Sequence, residues 1–284
     1  MTGYEALRNR AAWLDLSARG KIKLTGEDRA RLLHAMTTNH IQQLTPGSGC
    51  YAFFLNDKGR VLADANVLCR PDHFLLDVEP ETREPLYQHL DRFIIADDVT
   101  LEDMTDATAT IAIEGPEAAC VLERVGATVP EAEYSSVDWE QAVVARLNST
   151  GSIGFFIFAP ADEKAALISR LEAAGAEPAD AEAARVVRLE HGKPRYGEDI
   201  SERFLAQEAN QPQALHFSKG CYLGQEIVER VRSRGQIHRV LKPLTLETKE
   251  PPEPGTKLET GAEVTSAAYS PALGKVVALA YVRT

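Results

Sequence analysis

Two stretches of this 284-residue chain follow one plan, and that repetition constrains its fold more than any other feature. Ile22 to Leu33 (IKLTGEDRARLL) and Ile111 to Leu122 (IAIEGPEAACVL) each read as a short alternating strand, a glycine (Gly26, Gly115), an acidic residue near a helix start (Asp28, Glu117) and an amphipathic helix. Pro116 suits the first helical turn, where its missing N–H is not needed. The sequels also match. The first copy predicts strands near 50–55, 61–69 and 73–78 and a helix near 83–95. The second predicts strands near 141–147 and 154–159 and a helix near 162–174, with Asp57-Lys58-Gly59 and Ser149-Thr150-Gly151 supplying turns. A chain built this way folds as two related α+β units.

The remainder divides into three parts. Residues 161–189 are rich in Ala and Glu and predict helices broken at Gly175 and Pro178. Residues 191–218 have little periodicity, and an irregular run of that length inside a folded region is commonly functional. From Ile237 onward, short strands punctuated by Pro and Gly predict a small β-barrel-like domain. The expected division is 1–105 for the first α+β unit, 106–236 for the second with its connecting segments, and 237–284 for the β domain.

No apolar run approaches the roughly 20 residues of a membrane span, and the N-terminus carries no signal-peptide core. The four cysteines (Cys50, Cys69, Cys120, Cys221) form no CxxC pair, which argues against a disulfide framework, a structural zinc site or a permanent metal and for a cytoplasmic chain with free thiols. Cys50, Cys69 and Cys120 sit in strand or helix patterns and read as core. The net charge of −11 disfavours direct nucleic-acid or anionic-membrane binding. One stretch departs from it: between His216 and Arg239, Lys219, Arg230, Arg232, Arg234 and Arg239 outnumber Glu226 and Glu229 by three.

That basic stretch begins in Lys219-Gly220-Cys221-Tyr222-Leu223-Gly224-Gln225-Glu226. Ile227, Val228 and Val231 keep helical spacing, so Cys221 is expected in a turn at or just before a helix N-terminus. Helix dipole and neighbouring cations favour a thiolate there. Such a cysteine can be a nucleophile, a redox thiol or a soft metal ligand, and equally a small apolar residue in a tight turn. A second motif spans Arg188-Leu189-Glu190-His191-Gly192 through Pro194, Tyr196, Gly197 and Asp199. Gly192 and Pro194 are ordinary helix-stop chemistry. Glu190 is not, because the dipole disfavours an anion at a helix C-terminus. Arg188 or a bound pair of donors would offset that.

RLExGxPxYGxD followed by KGCYxGQE resembles the folate-binding YgfZ family, within the superfamily of the glycine-cleavage T-protein, an aminomethyltransferase. The resemblance also takes in the LTG-ED segment, Thr38-Asn39, Tyr51 to Asp64, Arg234-Gly235 with Arg239, and the β domain. It implies a T-protein-like fold of two α+β units around a central opening. It implies tetrahydrofolate or a one-carbon derivative as ligand, with Glu190 accepting from the N3–H and 2-amino group of the pterin in a bidentate pair. Arg230, Arg232 and Arg239 are candidates for the anionic glutamate tail. Asp64 and Asn66 share one face of their strand and Ala63 takes the other, so only one side can meet a ligand. The T-protein carries paired aspartates here, one of them catalytic, and Ala63 aligns with that one and Asp64 with the second.

The resemblance implies a tetrahydrofolate-binding accessory protein that supports iron–sulfur cluster assembly, repair or maintenance in client enzymes, including tRNA-modifying ones. Its working thiol would be Cys221, and Lys219, Gly220, Tyr222, Gly224, Gln225 and Glu226 would frame it. One cysteine holds no cluster alone. The alternative is a folate-dependent aminomethyltransferase or demethylase. Ala63 argues against turnover and Asp64 keeps it open.

Overall fold

The computed structural model describes residues 2–235 and 237–284. Gln236, where the sequence places the end of the second segment, lies outside the described residues, as does the side chain of Arg234. In chain order the elements are α1 (Gly3–Asn9), β1 (Ala12–Asp15), β2 (Gly20–Thr25), α2 (Arg29–Met36), β3 (Gly49–Leu55), β4 (Val61–Cys69), β5 (Phe74–Val78), α3 (Arg83–Asp91), β6 (Thr100–Asp103), β7 (Thr108–Glu114), α4 (Ala118–Arg124), β8 (Ser136–Trp139), β9 (Ala142–Ala145), β10 (Gly154–Pro160), α5 (Lys164–Ala173), β11 (Glu177–Pro178), α6 (Ala181–Glu190), α7 (Gln225–Arg234), β12 (Arg239–Leu246), β13 (Glu263–Ser270) and β14 (Lys275–Arg283).

Two compact units draw on separated segments. One holds residues 19–105, 195–241 and 283–284, and its sheet runs β3-β4-β5-β2-β6. The other holds residues 1–18, 106–194 and 242–282, and its sheet runs β8-β9-β10-β7-β1-β11. Matching elements by chain order equates β2 to β6 with β7 to β11, leaving β1 aside. The strand order is then the same in both sheets, with β1 inserted between β7 and β11. The strand-to-helix turns also match. Gly26 has φ +100° and Gly115 has φ +121°, and a Cβ would fall 2.0 Å from the Asp98 carbonyl oxygen in one copy and 2.5 Å from that of Arg10 in the other. Only glycine fits, in conformation and in space.

Each sheet buries one face against its helices. In the five-stranded unit Ile22, Leu24, Ala52, Phe54, Ala63, Ala65, Val67, Leu76 and Val78 pack with Leu32, Leu33, Leu86 and Leu90. In the six-stranded unit Ile111, Ile113, Val144, Phe155 and Ile157 pack with Val121, Leu122, Leu167 and Leu171.

The C-terminal segment corrects one expectation. It forms a three-stranded sheet, β12-β14-β13, rather than a barrel. The run from Glu247 to Ala262 is turn and irregular backbone with a single bridge, Lys257 to Glu263, so too few strands remain to close a cylinder. β13 and β14 pair antiparallel around a small core of Val264, Ala267, Val276, Ala278 and Ala280. Cys120 is corrected too. It is exposed, because α4 buries Ala118, Val121 and Leu122 and turns Cys120 to the other face. Cys69 is buried and Cys50 intermediate, and all four thiols are free. Among the described residues no helix is long and apolar enough to cross a membrane.

Candidate functional site

Period-two alternation decides what the five-stranded sheet shows on its second face. With Ala63 and Ala65 in the helix-side core, Asp64 and Asn66 point the other way, as do Lys21, Tyr51, Phe53 and Asp77. Register lines them up: Tyr51 pairs with Asn66, Asn66 with Asp77 and Asp77 with Lys21, one row across four strands. Asp64 therefore lies on the polar face and Ala63 in the helix-side core. A side chain at position 63 enters the apolar core, so alanine there removes nothing from the polar face.

The polar face holds a Tyr51–Asp64 pair beside a longer chain of hydrogen bonds and ion pairs. The Tyr51 hydroxyl donates to Asp64 Oδ2 (2.6 Å), and Asn66 Nδ2 donates to Asp77 Oδ2 (2.8 Å). Arg19 clamps Asp77 through two bonds of 2.8 Å and also contacts Glu79. Arg195 reaches Glu79 at 2.9 Å and Glu81 at 2.6 Å. Arg195 belongs to the RLExGxPxYGxD motif. Its backbone N–H donates to Asp199 (3.0 Å), which folds the loop so that the neighbouring Tyr196 hydroxyl reaches the Val61 carbonyl (3.2 Å).

Burial sets the charge states. Asp64 is 8% exposed, and its carboxyl is pushed up to about 6 by burial first and by Glu79 and Asp77, against the Tyr51 hydrogen bond and Arg19. Lys21 is fully buried and its ammonium is lowered to about 8, by burial against the pull of Asp77. Burial also opposes the charge on Glu79, but Arg19 and Arg195 outweigh it and hold that carboxyl below its usual range. A carboxyl titrating near 6 beside the Glu79 carboxylate, which its arginines keep ionised, can give and take a proton near neutral pH. Asp64 and Asn66, which the sequence singles out, lie on this face; Arg19, Asp77 and Glu79 join them without having been singled out, and Tyr51 and Tyr196 entered only as members of the longer matched segments. One signal was available: Asp77 interrupts an apolar strand on the face opposite its core positions.

Glu190 lies in the other unit, the last residue of α6. Its carboxylate is 3% exposed and already engaged: Tyr4 donates to Oε1 (2.6 Å), Ser270 donates to Oε1 (2.5 Å) and Arg8 pairs with Oε2. Three donors offset the helix-end penalty, and Arg188 does not take that part. Its guanidinium bonds the Lys193 carbonyl (2.7 Å).

The KGCYLGQE segment belongs to the five-stranded unit. Cys221 is exposed, and Tyr222, Leu223 and Gly224 separate it from α7. Gly224 has φ +83°, and a Cβ there would lie 2.6 Å from the Asn56 carbonyl oxygen. Gln225 Oε1 accepts from the Tyr222 N–H (3.3 Å), Glu226 is exposed, and Tyr222 is buried. Lys219 is directed elsewhere than expected. It is buried, and its ammonium bonds the carbonyls of His34 and Thr37 at the C-terminus of α2 and stacks over the Tyr222 ring (4.7 Å). Helix-end carbonyls attract a cation more strongly than solvent near a thiol does. The basic surface shrinks accordingly. Arg239 bonds Glu208 (3.0 Å) and stacks on Phe204, Arg232 stacks on Phe217 (4.7 Å) near Glu229, and Arg230 is exposed. No group of three His, Cys, Asp or Glu among the described residues could hold a metal ion.

The fold is that of a glycine-cleavage aminomethyltransferase. The crystal structure of glycine cleavage system aminomethyltransferase T from Bartonella henselae matches with a TM-score of 0.91, covering 99% of this chain and 80% of that one at 21% identity. Residues 2–219 match the GCVT N-terminal domain, and the chain belongs to that family. An aminomethyltransferase of Rubrobacter xylanophilus is 33% identical over 290 residues, 98% of this chain and 78% of the relative. A putative chloroplastic transferase of Arabidopsis thaliana is 28% identical, covering 89% of this chain and 60% of that protein. The family match ends at Lys219, two residues before Cys221.

Proposed function

We propose that the protein binds tetrahydrofolate or a one-carbon derivative and transfers an aminomethyl-type one-carbon unit, with Asp64 handling the proton. The observation that carries this is the buried Asp64 carboxyl, held by Tyr51 on the polar sheet face and titrating near 6. Moving a one-carbon unit between an amine and a folate nitrogen needs a proton delivered to the departing amine and one taken from the attacking nitrogen. A carboxyl that titrates near neutrality serves both. Relatives named aminomethyltransferases over nearly the whole chain support the same reaction class. Glu190 is proposed for the pterin: the N3–H and 2-amino donors would take the places of Tyr4 and Ser270 while Arg8 keeps its pairing.

Calorimetry with tetrahydrofolate and turnover of an aminomethylated carrier test this. Asp64→Asn should bind within a few-fold of wild type and lose about 10²–10⁴ in rate. Glu190→Gln should lose binding. A wild-type chain that ignores tetrahydrofolate, or an Asp64→Asn variant at full rate, sinks the proposal.

The exposed thiol of Cys221 favours a second reading, folate-linked support of iron–sulfur client or assembly proteins. Cys221→Ser should then leave folate binding intact and fail to restore iron–sulfur enzyme activity in a strain lacking the protein. Full restoration by the serine variant removes this reading and leaves the first untouched.

A further inference from the structure

Three imidazoles stack where the Cys221-bearing segment meets α2. His34 lies on α2, His40 on the loop after it and His216 on the segment leading to the KGC turn. The His34 and His40 ring centres are 4.6 Å apart and those of His40 and His216 are 5.1 Å apart, both edge to face. Gly220 lies against the first ring, since a Cβ there would come 3.5 Å from His34 Nε2. The same segment is tied to α2 and its following loop by hydrogen bonds from His216 N–H to the Thr38 carbonyl (3.0 Å), Thr38 Oγ1 to the Ala214 carbonyl (2.6 Å), Asn39 Nδ2 to the Gln213 carbonyl (2.9 Å), Leu223 N–H to the Ala35 carbonyl (2.9 Å) and the Lys219 ammonium.

We propose that this stack is a proton-operated latch. Neutral rings hold the segment from Gln213 to Leu223 on α2, and protonation loosens it and so changes how Cys221 is presented. Among the described residues, the buried Nδ1 atoms of His34 and His40 have no hydrogen-bond partner, so a proton added there meets no acceptor. The groups whose charge acts on His34 are Lys219, His40 and His216, all of them bases. Lys219 in turn faces Cys50 on β3, whose thiol burial pushes up to about 12 and keeps neutral. A second cation in this cluster is therefore repelled, not paired. The charge states agree: burial first, then Lys219 and the other two rings, lower His34 to about 4, and burial lowers Lys219 to about 7. A base whose folded value lies below its unfolded value loses stability as the pH falls between the two, for His34 between about 6.5 and about 4.

Amide hydrogen exchange on the full chain, corrected for intrinsic rates, tests this at pH 7.5 and pH 5.0. Peptides covering 213–223 should lose about ten-fold or more in protection at the lower pH, while β4 and β5 keep theirs. His34→Phe keeps a ring in the stack and removes the group whose burial sets the pH dependence, and its loss should stay below about three-fold. Equal losses in wild type and variant, or unchanged wild-type protection, overturn the proposal. Should the variant not fold, histidine NMR titration of the wild type decides. His34 should stay neutral at pH 5.5, and three rings titrating independently at the free-imidazole value overturn the latch. Neither readout involves folate or turnover.

Discussion

Removing the Asp64 charge should alter how stability depends on pH, by an amount the structure sets. The carboxyl titrates at about 6 in the folded chain against 3.8 for the free group, a difference of about 2 units and so about 3 kcal/mol. The sign follows from which state holds the proton. Below about pH 3 both states are protonated and the full stability is present. Between about 4 and 6 the unfolded chain releases its proton first, so stability falls as the pH rises. Above about 7 both states are ionised and the folded protein carries the whole desolvation cost. Asp64→Asn is neutral throughout and can still accept from the Tyr51 hydroxyl through its amide oxygen. At 8% exposure there is little solvent to screen the effect. Urea unfolding of both proteins from pH 4 to pH 8 should show the variant gaining on wild type by about 3 kcal/mol across that range, then levelling. Parallel profiles would refute the argument, because they would mean that Asp64 ionises as freely in the folded chain as in the unfolded one.

Other perturbations give separate checks. Lys219→Met should cost about 1–3 kcal/mol in denaturant unfolding, since it leaves the His34 and Thr37 carbonyls at the end of α2 without their donor. Gly26→Ala and Gly115→Ala should each cost well above the ~1 kcal/mol expected of Gly126→Ala, whose φ is also positive (+80°) but whose surroundings are open. With a small thiol reagent on the native chain, Cys221 and Cys120 should label within the first phase, and Cys50 and Cys69 only on unfolding.

The frame of the fold was legible because it is local. Strand alternation and the strand–glycine–helix plan recover β2 to β5, α2, β7 and α4, and the second copy reveals the duplication. β8 and β11 are short and weakly patterned and do not announce themselves. The C-terminal strands were legible, but closure into a barrel depends on strand number and tilt, which short apolar runs do not encode. The site divides the same way. Asp64 and Asn66 follow from period two, whereas the Arg19–Asp77–Glu79–Arg195 chain joins residues far apart in sequence. Lys219 shows the limit of reading neighbours. Adjacency to Cys221 suggested a thiol-activating cation, but the chain turns and delivers it to a helix end 182 residues away.

The duplication sets this polar face apart from its counterpart. Counting five residues back from Gly26 and Gly115 equates Lys21 with Thr110. Counting three back from the short 3-10 turns that start at Pro80 and Ala161 equates Asp77 with Phe158. The register agrees independently: Lys21 pairs with Asp77, and Thr110 with Phe158. The row Tyr51-Asn66-Asp77-Lys21 in one copy thus corresponds to Asp138-Val143-Phe158-Thr110 in the other. The two copies share strand order, turn glycines and helix-side cores, yet at the centre of this row one places an amide and a carboxylate where the other has valine and phenylalanine. Buried ion pairs are commonly no better for stability than apolar residues of similar size, and the second copy shows that this frame accepts the apolar solution. Packing therefore does not explain why the first copy keeps Arg19, Lys21, Asn66, Asp77 and Glu79 under its second face. Three of them act on Asp64: Glu79 and Asp77 raise its proton affinity while Arg19, with the Tyr51 hydrogen bond, limits the rise, leaving the carboxyl near 6. On the proposed function, a network that sets one buried carboxyl close to neutrality serves the proton that carboxyl would handle.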